Sequence, residues 1–317
     1  MSSIEGQLAG TVLMIRPVRF EANPLTAGSN AFMADVGADA AEQQRAALAG
    51  FEAVATALEE AGVNVVAIDD TPEPHTPDSV FPNNWISFHA DGTVVLYPME
   101  AENRRTERRL DVVDVLSEQH GFHVGEVIDL SHHEADGHYL ESTGSMVLDR
   151  ENRVAYACLS SRTHLDPLGD FAQRLDYEIV AFDAVDRNGK PIYHTNVLMS
   201  IGECLAVVCA EAIPDPAQRE AVLSRLAASG RQIIELSYAQ LEAFAGNLLE
   251  LRAADGARVV ALSRQALDAL DAGQRELLEA NGRLAVADIA AIEASAGGSV
   301  RCMLAEVHLP LESGEAA

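Results

Sequence analysis

Lysine is almost absent: Lys190 is the single one in 317 residues, so nearly every basic side chain is an arginine. Basic charge is scarce altogether, with 22 Lys and Arg against 49 Asp and Glu and a formal net charge of −27. Phosphate backbones need a basic surface, so nucleic acid is excluded as a partner. The four cysteines, Cys158, Cys204, Cys209 and Cys302, form no CxxC pair. A disulfide framework is not expected, and Cys158, Cys204 and Cys209, inside apolar runs, read as small core hydrophobes. No apolar run approaches membrane-spanning length, and no basic n-region followed by an apolar h-region stands near the N-terminus. A cytoplasmic protein without a membrane partner is the expectation. Neither GxGxxG nor GxxxxGKS occurs, so no nucleotide cofactor is implied.

What is present is ordinary globular composition, 48 % apolar and 22 % charged, enough to bury a large core with no linker in sight. The chain also repeats itself. A polar cluster, an apolar strand, a turn and a second apolar strand recur in that order. Phe81-Pro82-Asn83-Asn84 leads into Trp85–Phe88 and then Val94–Tyr97. Glu141-Ser142-Thr143-Gly144 leads into Met146–Leu148 and then Val154–Ala157. His194-Thr195-Asn196 leads into Val197–Met199 and then Leu205–Val208. Phe244-Ala245-Gly246-Asn247 leads into Leu248–Leu251 and then Val259–Leu262. The last copy is Gly297-Gly298-Ser299 with Cys302–Val307 as its strand, and Thr11–Arg16 is the candidate for its missing partner.

The copies start roughly 50–60 residues apart, a spacing of propeller blades and arrays. Helical periodicity falls between them at Ala40–Ala61, Arg105–His120, Pro216–Ser229 and Ser263–Ala280, with short strands at Val63–Ile68, Glu178–Phe182, Gln232–Leu236 and Arg283–Ala287. The expected fold is therefore α/β: a five-bladed, pseudo-symmetric α/β propeller, one catalytic domain over residues 1–317. Its polar signatures face a central channel where Cys302, His194 and Glu141 meet. A thiol, an imidazole and a carboxylate so gathered make an activated nucleophile.

These motifs resemble the guanidine-modifying (pentein) superfamily of arginine deiminases, dimethylarginine dimethylaminohydrolases and amidinotransferases. The resemblance runs through Arg16-Pro17, Asp78-Ser79-Val80-Phe81, Asn103-Arg104-Arg105, Glu141, Ser161-Arg162-Thr163, His194, Ala245–Glu250 and Cys302, in that order. It implies Cys302 as nucleophile, His194 as acid and base, and Glu141 as the carboxylate supporting the histidine. It also implies Arg104 (or Arg105) and Arg162 as clamps on a substrate carboxylate, and Asp78 as the holder of its amino group. The family chemistry needs no cofactor and no metal. It allows a homodimer.

One departure bears on substrate. Where deiminases carry carboxylates that grip a guanidinium, this chain has Asn83 and Asn84, and Asn196 replaces a second acid near the histidine. A guanidinium offers only donors, whereas a neutral ureido group offers a carbonyl that an Asn N–H can meet. All three Asn are therefore expected to touch substrate, and the branch most resembled is that of citrulline ureidases. The expected activity is hydrolysis of citrulline to ornithine, ammonia and carbon dioxide. Arginine dihydrolysis, arginine or dimethylarginine deimination and amidino transfer are the alternatives, and a catalytically silent binding propeller is the non-enzymatic one. His132-His133-Glu134-Ala135-Asp136-Gly137-His138 fits no metal-binding spacing and reads as a mobile loop at the site entrance. Asn23-Pro24-Leu25-Thr26 reads as a lid or loop.

Overall fold

The computed structural model describes residues 5–26, 28, 30, 32–33 and 39–312. Among these residues the strands form five sheets of three. The first sheet holds Ile86–Phe88, Thr93–Leu96 and Glu126–Asp129, and the second Val147–Asp149, Val154–Cys158 and Glu178–Phe182. The third holds Met199–Ile201, Leu205–Val208 and Gln232–Glu235, and the fourth Leu249–Arg252, Arg258–Ser263 and Arg283–Ala287. In every one the first strand pairs antiparallel with the second, and the second pairs parallel with the third. The fifth sheet repeats that pattern from both ends of the chain. Ala305–Val307 pairs antiparallel with Thr11–Arg16, in the register Thr11↔Val307 and Leu13↔Ala305, and Thr11–Arg16 pairs parallel with Asn64–Asp69. The sequence reading of Thr11–Arg16 as the missing partner agrees with this pairing.

A tight turn suffices between antiparallel strands, but a parallel pair needs a crossover. Each sheet supplies one as a helix: Ala40–Glu60, Asp111–His120, Leu165–Leu175, Pro216–Ala228, and the pair Arg264–Ala269 and Ala272–Asn281. Local chemistry sets their starts. The Asp39 carboxylate accepts from Glu42 N, and Asp215 caps a helix whose first residue is Pro216. Asp271 and Gln274 form a capping box, which splits the single helix expected over Ser263–Ala280. The expected helix over Arg105–His120 likewise begins only at Asp111, after a separate 3-10 segment at Glu102–Glu107. The sequence pattern marks no helix over Leu165–Leu175, because Pro167 and Gly169 interrupt it. Pro167 lies in the first turn, where backbone N–H groups have no helical partner anyway.

The apolar core lies between neighbouring sheets and under the helices, in four clusters. The second strands are buried on both faces, which explains their unbroken runs such as Val154–Cys158. The short first strands pack on one another: Ile86–Phe88 against Ala305–Val307, and Met199–Ile201 against both Val147–Asp149 and Leu249–Arg252. The polar signatures just before them are thereby brought together.

Candidate active site

Each signature folds as a single turn that halts before its strand begins. Pro82–Asn84 and Val300–Met303 are 3-10 turns, and Ser142–Ser145 and Thr195–Leu198 are one-turn helices. Two expectations change here. Cys302 sits in such a turn, with the strand starting only at Ala305, and Val197–Leu198 are helical, with the strand starting at Met199. A strand would point alternate side chains away from the centre, whereas a turn collects them on one side. The turn at Glu141 carries a cost: Ser142 has φ of 44°, a left-handed conformation that side chains other than glycine rarely adopt.

The turns border a small cavity that is partly open to solvent. Of the nine site residues read from sequence, six border it: Asp78, Asn84, Arg104, Arg162, His194 and Cys302. Glu141 stands behind His194, whose Nε2 lies 2.8 Å from Glu141 Oε2. If the imidazole N–H faces that carboxylate, Nδ1 is left as the nitrogen for proton transfer. Burial alone would raise the Glu141 carboxyl, but Arg162, the His194 bond and Arg104 outweigh it and hold the group well below the usual range. Burial pushes His194 below its ordinary value, aided by Arg162 and Arg104, while Glu141 pulls the other way.

The other two expected contacts are displaced from the cavity. Asn83 does not border it: its Nδ2 reaches Thr143 Oγ1 at 3.4 Å, and its Oδ1 accepts from Asn84 Nδ2 at 3.1 Å. Asn196 does not border it either, because its Nδ2 is turned to Cys302 Sγ, 3.5 Å away. The two arginines differ in their commitments. Arg104 Nε and Nη2 grip the Glu107 carboxylate at 3.0 and 2.9 Å, and Nη1 donates to Asn84 Oδ1 at 2.9 Å. Arg162 bonds Glu100 at 3.2 Å and Thr26 O at 3.4 Å, and stacks over Tyr193 at 4.8 Å. The fallback Arg105 turns away, donating to the Met99 and Glu100 carbonyls.

Asp78 is held on one oxygen by Asn23 Nδ2 at 2.7 Å, while its buried Oδ1 has no hydrogen-bond partner among the described residues and the residue borders the cavity. An unpaired buried carboxylate oxygen is costly, so this one has an unmet demand for a donor. The Asn23–Thr26 segment is therefore part of the site: Asn23 and Thr26 brace Asp78, and Thr26 and Asn30 line the cavity. Its residues have no periodicity, so sequence gave no signal for these contacts. The stretch His132–His138 is not at the cavity. Ser131–Asp136 form a 3-10 turn closed by Gly137, and Glu134 grips Arg108. His132, His133 and Asp170 bring three donor atoms within 4.8 Å, a grouping that linear spacing did not show because Asp170 lies on another helix. Arg174 also holds Asp170, at 2.6 Å.

Five like three-stranded sheets, with a thiol, an imidazole and a carboxylate gathered between them, agree with the pentein fold of the guanidine-modifying superfamily. The family described as N,N dimethylarginine dimethylhydrolase, eukaryotic, matches residues 16–309, and the chain belongs to it. No curated protein sequence matches. Among solved structures, ArgZ, an arginine dihydrolase from the ornithine–ammonia cycle in cyanobacteria, is similar over 96 % of this chain, with a TM-score of 0.72 and 20 % identity. The chain spans 41 % of that protein. The N-terminal domain of ArgZ bound to substrate is similar with a TM-score of 0.69 and 20 % identity, over 94 % of this chain and 99 % of the domain. A dimethylarginine dimethylaminohydrolase carrying an S-methyl-L-thiocitrulline adduct gives 0.60 at 16 % identity, over 94 % of this chain and 99 % of that one. Identities of this size speak for the fold. Among the described residues no helix is long and apolar enough to cross a membrane.

Proposed function

We propose that this chain is a cysteine-dependent hydrolase of a ureido amino acid, with citrulline as its substrate. The observation that carries this reading is the orientation of Asn84. Its Oδ1 is taken by Arg104 Nη1 and one Nδ2 hydrogen by Asn83, which leaves the remaining N–H for the cavity. A donor at that point suits the carbonyl oxygen of a ureido group and meets nothing on a guanidinium. Asp78 is the one carboxylate among the described residues bordering the cavity, and its open oxygen suits the substrate's ammonium group. Arg162 supplies the guanidinium for the carboxylate end. The five sheets are read as blades of a closed propeller, forming one catalytic domain with this cavity at its axis.

Cys302 Sγ attacks the ureido carbon as its thiol proton passes to the neutral His194, the C–N bond to one nitrogen breaks, and His194 delivers that proton to the departing amine. Water, giving its proton to His194, then attacks the thiocarbamate carbon and the C–S bond breaks. The released carbamate decomposes, so citrulline and water end as ornithine, ammonia and carbon dioxide. No cofactor enters. A small amino-acid ligand and a cytoplasmic location, where free thiols persist, complete the reading. A second reading, arginine dihydrolysis, draws support from the arginine dihydrolase structures of the same fold.

Supplying citrulline and arginine separately and assaying ornithine and ammonia tests the proposal. Turnover of citrulline with arginine at least about tenfold poorer is expected, since each mismatched donor on a buried polar group forfeits on the order of 1–3 kcal/mol. Asn84→Asp should narrow or reverse that preference. Citrulline accumulating from arginine, with none consumed when it is supplied, would reject the ureido reading.

A further inference from the structure

One buried side chain outside the cavity touches the nucleophile and has no part in the scheme so far. Asn247 is fully buried, at the end of the turn before Leu249–Arg252. Both ends of its amide are pinned. Oδ1 accepts the Arg301 backbone N–H at 3.1 Å, and Nδ2 donates to the Asn196 carbonyl at 2.9 Å. A carboxamide nitrogen carries two hydrogens. The second is directed at Cys302 Sγ, 3.3 Å away, and Asn196 Nδ2 approaches the same sulfur at 3.5 Å.

We propose that Asn247 is a catalytic residue, which with Asn196 forms a two-donor hole that holds the Cys302 sulfur as an anion. This rests on Cys302 being the nucleophile and not on the identity of the substrate. Ionisation moves the thiol proton off the sulfur, to His194 during turnover, and the two N–H dipoles stabilise the charge left behind. Thiolates are commonly stabilised by a nearby cation, but the cations around this sulfur are already committed. Arg104 is bound to Glu107, and Arg301, the residue before the nucleophile, is bound to Glu306 at 2.7 Å. Arg162 borders Glu141 and Glu100, and burial pushes His194 toward its neutral form. Asp78, on the cavity side, carries the opposite sign, and Tyr193 is pushed up by burial and stays protonated. Neutral donors thus fill the role, and they add no fixed charge to a site that receives an uncharged ureido group. Their rigidity matters: donors pinned in advance need no reorganisation when the charge forms.

The test is the pH profile of Cys302 alkylation by iodoacetamide in the intact protein, read by peptide mass spectrometry. That readout separates Cys302 from the exposed Cys204, while burial pushes Cys158 and Cys209 up to about 12. Asn247→Ala and the isosteric Asn247→Asp should move the midpoint to higher pH and slow alkylation at pH 7 roughly tenfold or more. kcat should fall with KM nearly unchanged. Asn196→Ala, which removes one donor and leaves the turn at Asn247 intact, should shift the midpoint in the same direction by less. A purely structural Asn247 would lower the melting temperature and leave the midpoint in place. Variants that melt cooperatively with an unshifted midpoint would overturn the proposal. Alkylation uses no substrate, so an error in the ureido assignment leaves this result standing. Retained turnover in Cys302→Ser would instead remove the nucleophile on which both readings depend.

Discussion

His194 is set between opposing influences, and its chemistry follows from which wins. Burial disfavours the imidazolium, Arg162 and Arg104 add to that, and Glu141 alone pulls toward the charged form through a 2.8 Å bond. The balance leaves the resting imidazole neutral near pH 7, ready to take a proton and give it back. Activity should therefore fall as pH drops through the folded value, which lies below the ordinary 6.5. Glu141→Gln keeps an acceptor for Nε2–H and deletes the charge. With its one favourable influence gone, the imidazolium is harder to form. The acid limb of the pH–rate profile should move to lower pH, and kcat should fall by about a hundredfold, the usual scale for impaired general acid–base catalysis. An acid limb that stays put or moves upward would show that Glu141 does not act through His194.

The turns are the elements that make the site, and their spacing is tight enough to dictate small residues. At Gly144 an added Cβ would lie 2.5 Å from Asn84 Nδ2 and 2.9 Å from the His194 ring. Both neighbours are buried and hydrogen-bonded, so neither can yield cheaply. Gly144→Ala should cost about 1–3 kcal/mol of stability, as overpacking does. It should also depress kcat at least tenfold, because it displaces proton-transfer and recognition groups together. Chemical denaturation and steady-state kinetics check it, and a stable variant with full activity would mean the turn relaxes freely. The same turns mark how far the sequence could be read. Polar clusters before apolar runs gave the repeat and the residues that converge, since both signals are local. The switch from strand to turn at Cys302 and at Val197–Leu198 is set by the packing of one turn on the next, which no local pattern records. For the same reason the contacts of Asn83 to Thr143 and of Asn196 to Cys302 leave no local signal.

At the scale of the whole molecule, the far ends of the chain meet, and the joint is built around buried charge. Thr11–Arg16 completes the sheet of Ala305–Val307, and just before it Gln7 bonds the Leu148 and Ile201 carbonyls of two other sheets. Glu5 is buried with Arg150 at 2.6 Å, and Arg150 also neighbours Glu306, which pairs with Arg301 and His308. Burial opposes the charge on Glu5 and Glu306, yet Arg150, and for Glu306 also Arg301, hold both carboxyls well below the ordinary 4.5, as happens to Glu141. Burial lowers His89, His194 and His308 below 6.5. All six bind protons more readily once unfolded, so their stabilisation is present above the unfolded values and is lost as pH falls. Glu107, Glu250 and Glu293 act oppositely. Burial raises them, Glu107 to about 7, so their contribution is full below 4.5 and is lost as pH rises through the folded values. Between pH 4.5 and 6.5 the three histidines and these three carboxyls therefore offset one another, and the melting temperature should be nearly level. Below 4.5 the loss from Glu5, Glu141 and Glu306 is unopposed, and stability should drop steeply. Thermal melts from pH 3 to 8 read this directly. Glu5→Gln should start from a lower melting temperature and show a shallower acid drop, because the buried Arg150 loses its 2.6 Å carboxylate partner at every pH. A melting temperature that declines steadily from pH 7, or that survives unchanged to pH 3.5, would show that the buried charges at the joint do not govern the stability of the fold.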